Sequence, residues 1–527
     1  MKHYLEHYRD VTVRLWGSTA LEDFGGGSYT YRDVAAEIMR MHGDFQSLGL
    51  APGDRIAICG RNSCRWAMAF LATVTYRAVS VPLLYDFTPE SIERLLRHSG
   101  TGVLFTDNHT FANLHVEGLP ELAAVFSLDD GSCLWARDCS QIKYGEMLDF
   151  DREDFRFELG TMDELAVIDY TSGTTGEPKG VMLCNRSLSS NVSYALTNVP
   201  VRYGDRSISM LPLAHMFSLS FELLYCLCGG SRICFLGRIP SPTVLGKLLK
   251  EVEPYIFVTV PLVLEKMVRS RVKPSLDKPV VKFLTKIPLL RRIVYRKIRS
   301  GFMAAFGGRV RNVIIGGAAL SPDVEHILHS AGIPYVTGYG MTECGPLISF
   351  AVRSNFKPGS CGRELGDACR IKVDSPDPSR IPGEVLVKGD NVMMGYYNNP
   401  SANDAVFTPD GWLRTGDLGI LGKDGSLYLK GRLKCMILTS SGQNVFPEEI
   451  EALVNAFPGV EESLVVSRKG RLVALVYASP AVDLSEELCL ESVNRRLPSY
   501  SRLAGIEMMR EPFVHTPKNS IKRVLYQ

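Results

Sequence analysis

The sequence predicts an α/β protein with a large N-terminal body of helix-covered sheets, a β-rich subdomain and a small α/β C-terminal lid. First, short apolar runs alternate with helical patterns, as where RIAIC at 55–59 precedes an amphipathic stretch at 64–74. This rhythm favours parallel strands covered by helices. Second, from residue 383 short β-rich runs are joined by Asp-Gly turns, which indicates hairpins. Third, the mixed pattern returns near residue 433, with a Pro-initiated helix predicted at 447–456.

The element order divides the 527 residues into a body at 1–432, whose β-rich part covers about 350–432, and a lid at 433–527. A single hydrophobic core seldom serves a chain of this length. The most apolar stretch, 66–85, is interrupted by Arg77 and Pro82. Neither side of Arg77 therefore reaches the roughly 18–20 apolar residues of a membrane-spanning helix. We predict a buried helix followed by a strand there, and no membrane span.

The composition excludes some classes of function. The formal net charge of +2 gives no overall field to attract nucleic acid, so we predict no nucleic-acid partner and expect anionic ligands to be bound by local groups. The 13 cysteines are scattered without CxxC pairs, which predicts reduced thiols rather than disulfides or a zinc site. The charged N-terminus lacks the apolar core of a signal peptide. We expect a cytoplasmic protein.

A loop rich in glycine and hydroxyl residues follows a predicted strand at 164–170. The sequence there is YTSGTTGEPKG, at 170–180. Glycines let backbone N–H groups approach an anion, the hydroxyls add donors, and Lys179 adds a positive charge. No Gly-Lys-Ser/Thr closes the loop, so it is not a Walker motif. The alternative is an ordinary surface turn. Our prediction is a triphosphate-binding loop formed by Thr171, Ser172, Gly173, Thr174, Thr175, Gly176 and Lys179.

This loop is the first of seven motifs that resemble, in the same order, those of the adenylate-forming superfamily of acyl-CoA synthetases, peptide-synthetase adenylation domains and luciferase. The others are LPLAH at 211–215, GGAAL at 316–320, GYGMTE at 338–343, GWLRTGDLG at 411–419, KGRLK at 430–434 and SGQNVFPEEIE at 441–451. The likeness covers nearly the whole chain, and it is nearest to bacterial long-chain fatty-acid–CoA ligases. It implies the adenylate-forming fold, with ATP, Mg²⁺ and CoA as reactants.

Activation of an acid must join two anions, the carboxylate and the α-phosphate of ATP, which requires charge neutralisation and in-line positioning. In the GYGMTE motif, Thr342 can donate to the α-phosphate, Glu343 can hold Mg²⁺, and Tyr339 can place its ring against adenine. By the resemblance, Asp417 and Arg432 would contact the ribose. The remaining nucleotide site would comprise Gly316, Gly317, Ala318, Ala319, Gly338, Tyr339, Gly340, Met341 and Thr342. Taken singly, these residues are equally typical of ordinary turns.

His215 begins the region expected to bind the acid. A lone histidine is more often structural, but the resemblance places this one in the wall of the carboxylate site. Met216, Phe217 and Ser218 follow it. Amino-acid-activating relatives commonly carry an Asp in this neighbourhood, where this chain has Ser218 among apolar residues. The sequence therefore favours an apolar acid over an amino acid.

Two further sites follow from the resemblance alone. Lys434 falls where relatives rotate the lid between adenylation and thioester formation, since one site must serve two reactions in turn. Its alternative is a surface lysine. Ser441 and Gly442 would border the tunnel for the pantetheine arm of CoA.

The C-terminal tail departs from the family pattern. Relatives usually end in Thr-x-Thr-Gly-Lys-Ile-x-Arg, and that lysine bridges the acid and the α-phosphate. Residues 516–523 read TPKNSIKR, so an ungapped match places Ser520 at the lysine position. A serine cannot supply the cation. Lys518 and Lys522, two residues to either side, are equal candidates for this role.

A basic stretch covers residues 273–299, with nine Lys or Arg residues, one Asp and interleaved apolar residues. We expect an amphipathic helix whose apolar side packs on the core. The alternative is a peripheral contact with the inner membrane surface.

We therefore predict an AMP-forming acid–thiol ligase that activates a medium- to long-chain fatty acid and transfers it to CoA, with release of AMP and pyrophosphate. Transfer to a carrier protein is a variant of this function. The alternative from another class is an acyl- or nucleotide-binding protein with degraded catalysis, and Ser520 is the reason to consider it.

Overall fold

The computed structural model describes residues 1–138, 151–153, 155–171, 178–352, 356–438, 444–457, 459–468, 470–478, 488–515 and 521–526. Over these ranges, no helix has both the length and the apolar character needed to cross a bilayer. The cysteines in these ranges are free thiols.

The first part of the chain contributes to two different sheets. Its elements are α1 (Tyr4–Arg14), β1 (Thr19–Asp23), β2 (Ser28–Thr30), α2 (Tyr31–Ser47), β3 (Arg55–Cys59), α3 (Cys64–Thr75), β4 (Val79–Leu83), α4 (Pro89–Ser99), β5 (Thr101–Thr106), α5 (Asn108–Phe111), β6 (Ala124–Ser127) and β7 (Cys133–Ala136). Ser63 and Thr88 begin α3 and α4 because their hydroxyls accept from backbone N–H groups of the first turn. The buried helix and strand predicted within 66–85 are confirmed as α3 and β4.

The middle of the chain continues the alternation of strand and helix. Its elements are β8 (Leu165–Thr171), β9 (Lys179–Cys184), α6 (Asn185–Asn198), β10 (Arg206–Ser209), α7 (Met216–Ser218), α8 (Tyr225–Cys228), β11 (Arg232–Phe235), α9 (Pro242–Val252), β12 (Ile256–Thr259), α10 (Pro261–Met267), α11 (Lys273–Leu276), α12 (Pro279–Lys286), α13 (Pro288–Ala305), β13 (Asn312–Ile315), α14 (Pro322–Ala331), β14 (Tyr335–Gly340) and β15 (Leu347–Phe350). A π-helical segment, Leu219–Leu224, joins α7 to α8.

The predicted β-rich region and the C-terminal region complete the fold. The former contains β16 (Arg363–Glu364), β17 (Arg370–Asp374), β18 (Gly383–Lys388), β19 (Gly395–Tyr396), α15 (Pro400–Val406), β20 (Leu413–Leu421) and β21 (Leu427–Arg432). The latter contains β22 (Ile437–Leu438), β23 (Asn444–Val445), α16 (Pro447–Val454), β24 (Val460–Arg468), β25 (Arg471–Ala478), α17 (Leu490–Asn494) and β26 (Gly505–Met508).

Two large sheets form the body, as the alternating pattern predicts. The nine-stranded sheet has the order β16-β15-β14-β13-β12-β10-β11-β1-β2, and the eight-stranded sheet has the order β19-β9-β8-β4-β3-β5-β6-β7. The central strands of both are parallel. The four strands β17-β18-β20-β21 form a separate antiparallel sheet, which confirms the predicted hairpins.

The hydrophobic clusters separate along the chain. The three clusters of the body contain no residue beyond Leu429, whereas the two C-terminal clusters begin at Ile437. The boundary at 432/433 stays a prediction, and this separation supports it.

The basic stretch at 273–299 packs differently from the expectation. Tyr295 and Ile298 lie against the core, but Phe283, Leu289 and Ile293 are exposed to solvent. The prediction that the apolar side packs on the core is therefore correct for only one of two apolar faces.

Candidate active site

Three segments of the predicted site lie where strands of the nine-stranded sheet end. β10, β12, β13 and β14 are parallel neighbours, so their C-terminal ends lie along one edge of the sheet. The segments at 210–215, 316–319 and 341–343 follow three of these ends. The crevice beyond the carboxyl ends of parallel strands is where α/β proteins usually bind ligands.

Glu343 is the acidic group of this edge. It is buried within a short 3₁₀ turn, Thr342–Cys344, and its Oε1 accepts a hydrogen bond of 2.9 Å from the hydroxyl of Tyr396. The Lys179 ammonium lies over the same Tyr396 ring, 4.7 Å from its centroid. Burial and the neighbouring carboxylate raise the pKa of Tyr396, so this hydroxyl stays a donor at neutral pH. Tyr396 thus links the lysine of the predicted phosphate loop to the predicted Mg²⁺ ligand.

Lys179 and Thr171 are paired residues of the β8–β9 ladder. The loop between them therefore begins and ends at adjacent points of one antiparallel ladder, next to Tyr396. The predictions for Ser172, Gly173, Thr174, Thr175 and Gly176 lie outside the described residues.

A magnesium site at Glu343 would need ligands from outside the protein. Over the described ranges, no group of three or more His, Cys, Asp or Glu side chains is arranged to hold a metal. Mg²⁺ commonly takes one or two carboxylates together with substrate phosphates and water. A single buried carboxylate, linked through Tyr396 to Lys179 of the predicted phosphate loop, fits that pattern.

Asp417 lies at the predicted ribose position. The Tyr339 hydroxyl donates to its Oδ2 at 2.7 Å, and Arg432 Nε lies 3.3 Å from its Oδ1 across the β20–β21 ladder. Burial raises the pKa of Asp417, and the Arg432 charge and the Tyr339 hydroxyl oppose that rise. The Tyr339 ring is itself buried, and its pKa is raised well above the usual value. The site therefore holds a desolvated acceptor fixed by two donors.

We expect Asp417→Asn to raise the KM for ATP by roughly 10–100-fold, because hydrogen bonds to a charged acceptor contribute about 1.5–3 kcal/mol. Steady-state AMP formation measures this effect. The parent enzyme should lose affinity for 2′-deoxy- and 3′-deoxy-ATP, whereas the variant should discriminate less between these analogues and ATP. Equal discrimination in both proteins would exclude Asp417 as the ribose acceptor.

The GGAA segment has one buried glycine beside a phenylalanine and three exposed small residues. Gly317, Ala318 and Ala319 are exposed, so their small side chains leave room beside the strand end. A Cβ at Gly316 would lie 2.8 Å from the Phe217 ring, which requires glycine there. Phe217 in turn lies 5.6 Å from Phe221, measured between ring centroids. These residues form an apolar wall that begins at the predicted acid site.

The apolar wall continues inward to a gap that is too narrow for a water molecule. The gap is closed in this conformation, and it lies between α6, the helical segment after His215, β13 and β15. Its walls include Tyr194, Val199, Phe221, Tyr225, Ile314 and Phe350. Phe217 and all the residues that line the gap are uncharged.

Three polar side chains hold the loop that carries His215. Glu222 is fully buried, and its Oε2 accepts from the Ser209 hydroxyl at 2.9 Å and from the backbone N–H groups of Met210 and Leu211 at 3.1 and 3.2 Å. From the loop after β3, Asn62 donates to the Leu211 carbonyl at 2.7 Å and accepts from the Leu213 N–H at 2.9 Å. Sequence analysis missed both residues.

Ser218 is the third polar side chain. It is fully buried, and its hydroxyl donates to the carbonyls of Pro212 and His215. Met216 is also buried in the core, and Phe217 is the neighbour of His215 that reaches the GGAA segment. Ser218 therefore stabilises the loop, and the apolar character of the predicted acid site comes from Phe217 and Phe221.

Burial raises the pKa of Glu222 well above its ordinary value of 4.5, and the three donors oppose that rise. The folded state then binds this proton more tightly than the unfolded chain, so the contribution of Glu222 to stability decreases as pH rises above 4.5. Glu222→Gln mimics the protonated form. We expect its melting temperature, relative to the parent, to increase by at least about 2 °C between about pH 5 and about pH 8. Calorimetry measures this, with the exposed Glu121→Gln as control; a gap that does not change with pH contradicts the prediction.

The hinge and tail residues lie at the start and end of the C-terminal region. Lys434 is exposed in the turn Leu433–Cys435. Lys522 is exposed, and its backbone N–H donates to the Val514 carbonyl at 2.8 Å. Next to it, Arg523 forms an ion pair with Glu451, which anchors the end of the tail on α16. Ser441, Gly442, Lys518 and Ser520 lie outside the described residues.

The comparisons with known proteins agree with this arrangement. The family described as AMP-binding enzyme matches residues 9–397. The chain is 29% identical to 4-coumarate–CoA ligase 2 of Oryza sativa subsp. japonica, over 95% of this chain and 87% of the relative. It is 30% identical to the long-chain-fatty-acid–CoA ligase FadD15 of Mycobacterium bovis, over 82% of this chain and 74% of the relative.

A solved structure shows the same fold. It is o-succinylbenzoate coenzyme A synthetase from Bacillus subtilis in complex with ATP and a magnesium ion, 24% identical, with a TM-score of 0.78 over 98% of each chain. The fold and the site define an adenylate-forming enzyme. The chain belongs to the AMP-binding enzyme family, which confirms the resemblance drawn from the motifs.

Proposed function

We propose that this protein is an ATP-dependent ligase that activates a carboxylic acid as its acyl-adenylate and transfers the acyl group to CoA. Within that class we propose a medium- to long-chain fatty acid as the substrate. The observation that carries the proposal is that phosphate-binding groups and the start of an apolar path follow neighbouring strands of one sheet. Glu343, after β14, accepts a hydrogen bond from Tyr396, whose ring lies under Lys179. Gly316, after the adjacent strand β13, lies against the Phe217 ring, where the apolar path begins.

The residues at the nucleotide end divide the work of adenylation. Lys179 would neutralise phosphate charge, Glu343 would hold Mg²⁺, and Thr342 would donate to the α-phosphate. Mg²⁺ supplies charge neutralisation on the phosphates. Asp417 would fix the ribose, because its buried carboxylate has acceptor positions beyond those that Tyr339 and Arg432 occupy. In-line attack by the carboxylate then depends on positioning by these groups rather than on covalent catalysis.

The residues at the acid end favour an apolar chain. His215 begins a helical segment in which Phe217 and Phe221 are the next aromatic residues. The two rings are neighbours, and Phe221 lines the closed apolar gap. An acyl chain could enter only if these aromatic side chains move, because the gap holds no water-sized space. Ring movement is less costly than opening a packed backbone. The apolar lining supports an aliphatic acid over an amino acid, which would need a counter-ion for its ammonium group.

CoA is the acceptor that we propose, because both relatives described above are named CoA ligases. A carrier protein remains the alternative acceptor. The alternative of another class, a nucleotide- or acyl-binding protein with degraded catalysis, rests on Ser520.

An acyl-length series tests the proposal. Acids from acetate to oleate, and 4-coumarate, are compared by AMP formation with and without CoA. We expect the highest kcat/KM for acids of medium or long chain, and a clear stimulation by CoA. A maximum below about six carbons, or for 4-coumarate, would contradict the fatty-acid assignment. No AMP formation with any acid would favour the binding protein.

Gly316→Val is a sharper test of the acid path. The added side chain would meet the Phe217 ring, since even a Cβ would lie 2.8 Å from it. We expect kcat/KM to fall by at least about tenfold for long acids and to fall less for short ones, because a clash of this kind costs about 1–3 kcal/mol. Gly505→Val is the matched control, because no atom lies within 4 Å of a Cβ built there. Equal losses at every chain length would exclude this path.

A further inference from the structure

We propose that α12 and α13 form a docking surface for a bilayer that contains anionic lipid. The proposal goes beyond acid activation and does not depend on which acid is used. It begins with exposed apolar side chains: relative exposure is 69% for Val280, 63% for Phe283, 72% for Leu289 and 58% for Ile293. Ile287, which joins the two helices, is 38% exposed. Five large apolar side chains within a 14-residue stretch are unusual on a water-facing surface.

The helical spacing groups these side chains on the outer sides of the helices. Val280, Phe283 and Ile287 follow an i, i+3, i+7 pattern, and Leu289 and Ile293 are four residues apart. The inner side of α13 is different, because Tyr295, Ile298 and Phe302 pack on the body. The outward apolar side chains are therefore additional to those that hold the helices in place.

Cationic side chains surround this apolar surface. Lys282 pairs with Asp277, and Lys273 pairs with Asp323. Within the described part of the chain, no carboxylate lies within 4.0 Å of the side-chain nitrogens of the other exposed cations of the two helices. These are Lys286, Arg291, Arg292, Arg296, Lys297 and Arg299.

A groove of about 460 Å³ lies between α13 and the C-terminal end of α14. Arg291, Arg292, Arg296 and Arg299 line it together with His329, and no carboxylate lines it. Arg299 donates to the Gly332 carbonyl, which fixes that side of the groove. Phosphate is the group that such an arginine cluster binds best, because guanidinium donors match its oxygens.

The combination of the two features identifies the partner. A nucleic acid or a soluble anion would use the arginines but would leave Phe283, Leu289 and Ile293 in water. A bilayer satisfies both, since helices at the interface bury apolar side chains below the head groups while Lys and Arg bind anionic head groups. The surface would place the enzyme where apolar acids concentrate, and this last consequence alone rests on the proposed function.

Vesicle co-sedimentation tests the proposal with the full-length protein. Vesicles of phosphatidylcholine alone are compared with vesicles that also contain phosphatidylglycerol, at low and high salt. We expect binding to the mixed vesicles, weakened by salt, and little binding to phosphatidylcholine. Arg292→Gln/Arg296→Gln should weaken the partition coefficient by about 30-fold, at about fivefold for each cation near the surface. Leu289→Ser/Ile293→Ser should weaken it by at least about tenfold.

Arg471→Gln and Ile381→Ser are the matched controls, because both residues are exposed but lie outside the two helices. They should bind vesicles as the parent does, and every variant should keep the parent's melting temperature because the substituted side chains are exposed. Failure of the parent to bind mixed vesicles overturns the proposal. So does undiminished binding by Leu289→Ser/Ile293→Ser, which would show that the arginines bind head-group phosphate without insertion of the apolar side chains. Binding of duplex RNA without vesicle binding would assign the surface to nucleic acid and also overturn it.

Discussion

Glu343→Gln is expected to lower the rate of acyl-adenylate formation by on the order of 10²–10³-fold, the loss typical of removing one electrostatic group from a reacting centre. The physical reason is the loss of the buried negative charge that would hold Mg²⁺ beside the phosphates. The amide keeps the shape and can still accept from the Tyr396 hydroxyl, which the carboxylate accepts from at 2.9 Å. Pyrophosphate release at saturating acid measures the effect, repeated over a series of Mg²⁺ concentrations.

Two further variants serve as comparisons for Glu343→Gln. Tyr396→Phe keeps the ring under Lys179 but removes the donor to Glu343, and we expect a smaller loss of about tenfold because the carboxylate is then only less well oriented. Glu121→Gln, at an exposed position, should have no effect. A Glu343→Gln enzyme with the parent's rate and Mg²⁺ dependence would show that this carboxylate does not hold the metal.

The second large effect is expected at the tail. If Lys522 or Lys518 replaces the missing lysine at Ser520, its substitution by Ala should slow adenylation by on the order of 10²–10³-fold, because one positive charge between two anions is lost. Conversion of supplied acyl-adenylate to thioester should change little. Single-turnover formation of acyl-adenylate separates the two half-reactions.

Contacts on both sides of Lys522 limit how far the tail can shift to bring this lysine into the site. Ile521 packs with the cluster around Phe513, and Arg523 pairs with Glu451, so the residues on either side of Lys522 are held by α16 and by β24–β25. A shift of Lys522 by two residues would break both contacts. Lys423→Ala, at an exposed position, is the matched control. If neither tail lysine slows adenylation when replaced, neither supplies the cation; in that case Ser520→Lys should accelerate adenylation.

Local patterns explain why so much of the fold could be predicted. The strand predicted from RIAIC is β3 with the same bounds, and the helix predicted at 447–456 is α16 at Pro447–Val454. In both, the signal is periodicity or a helix start, which depends on neighbouring residues alone. The Asp-Gly turn before β21 is a local signal of the same kind.

The site residues that sequence analysis missed depend on distant pairing. Tyr396 meets Glu343 across 53 residues, and Asn62 meets the Ser209 hydroxyl across 147 residues. Neither residue carries a recognisable motif of its own, although Tyr396 follows a glycine within the β-rich region. Glu222 is closer in sequence to its partners, but among apolar residues only its burial shows that it must bind backbone N–H groups.

The prediction for the basic stretch at 273–299 was only partly correct, and the reason is different. Helical periodicity can identify an apolar face, but it cannot show whether the face meets the core, and α13 has apolar residues on two sides.

Three consecutive residues at the end of β21 have a consequence for how the enzyme turns over. Lys430 binds Glu449 of α16 at 2.9 Å, Gly431 leaves space for Glu448, and Arg432 holds Asp417. One short segment therefore connects Asp417, the proposed ribose acceptor, to the C-terminal region. The coupling between two equilibria is reciprocal. If binding of a nucleotide ribose shifts the orientation equilibrium of that region by some factor, the change of orientation must change the affinity for the nucleotide by the same factor. Rotation at Lys434 would then be thermodynamically coupled to retention of AMP, so that the movement that admits the thiol also alters how tightly the leaving nucleotide is held.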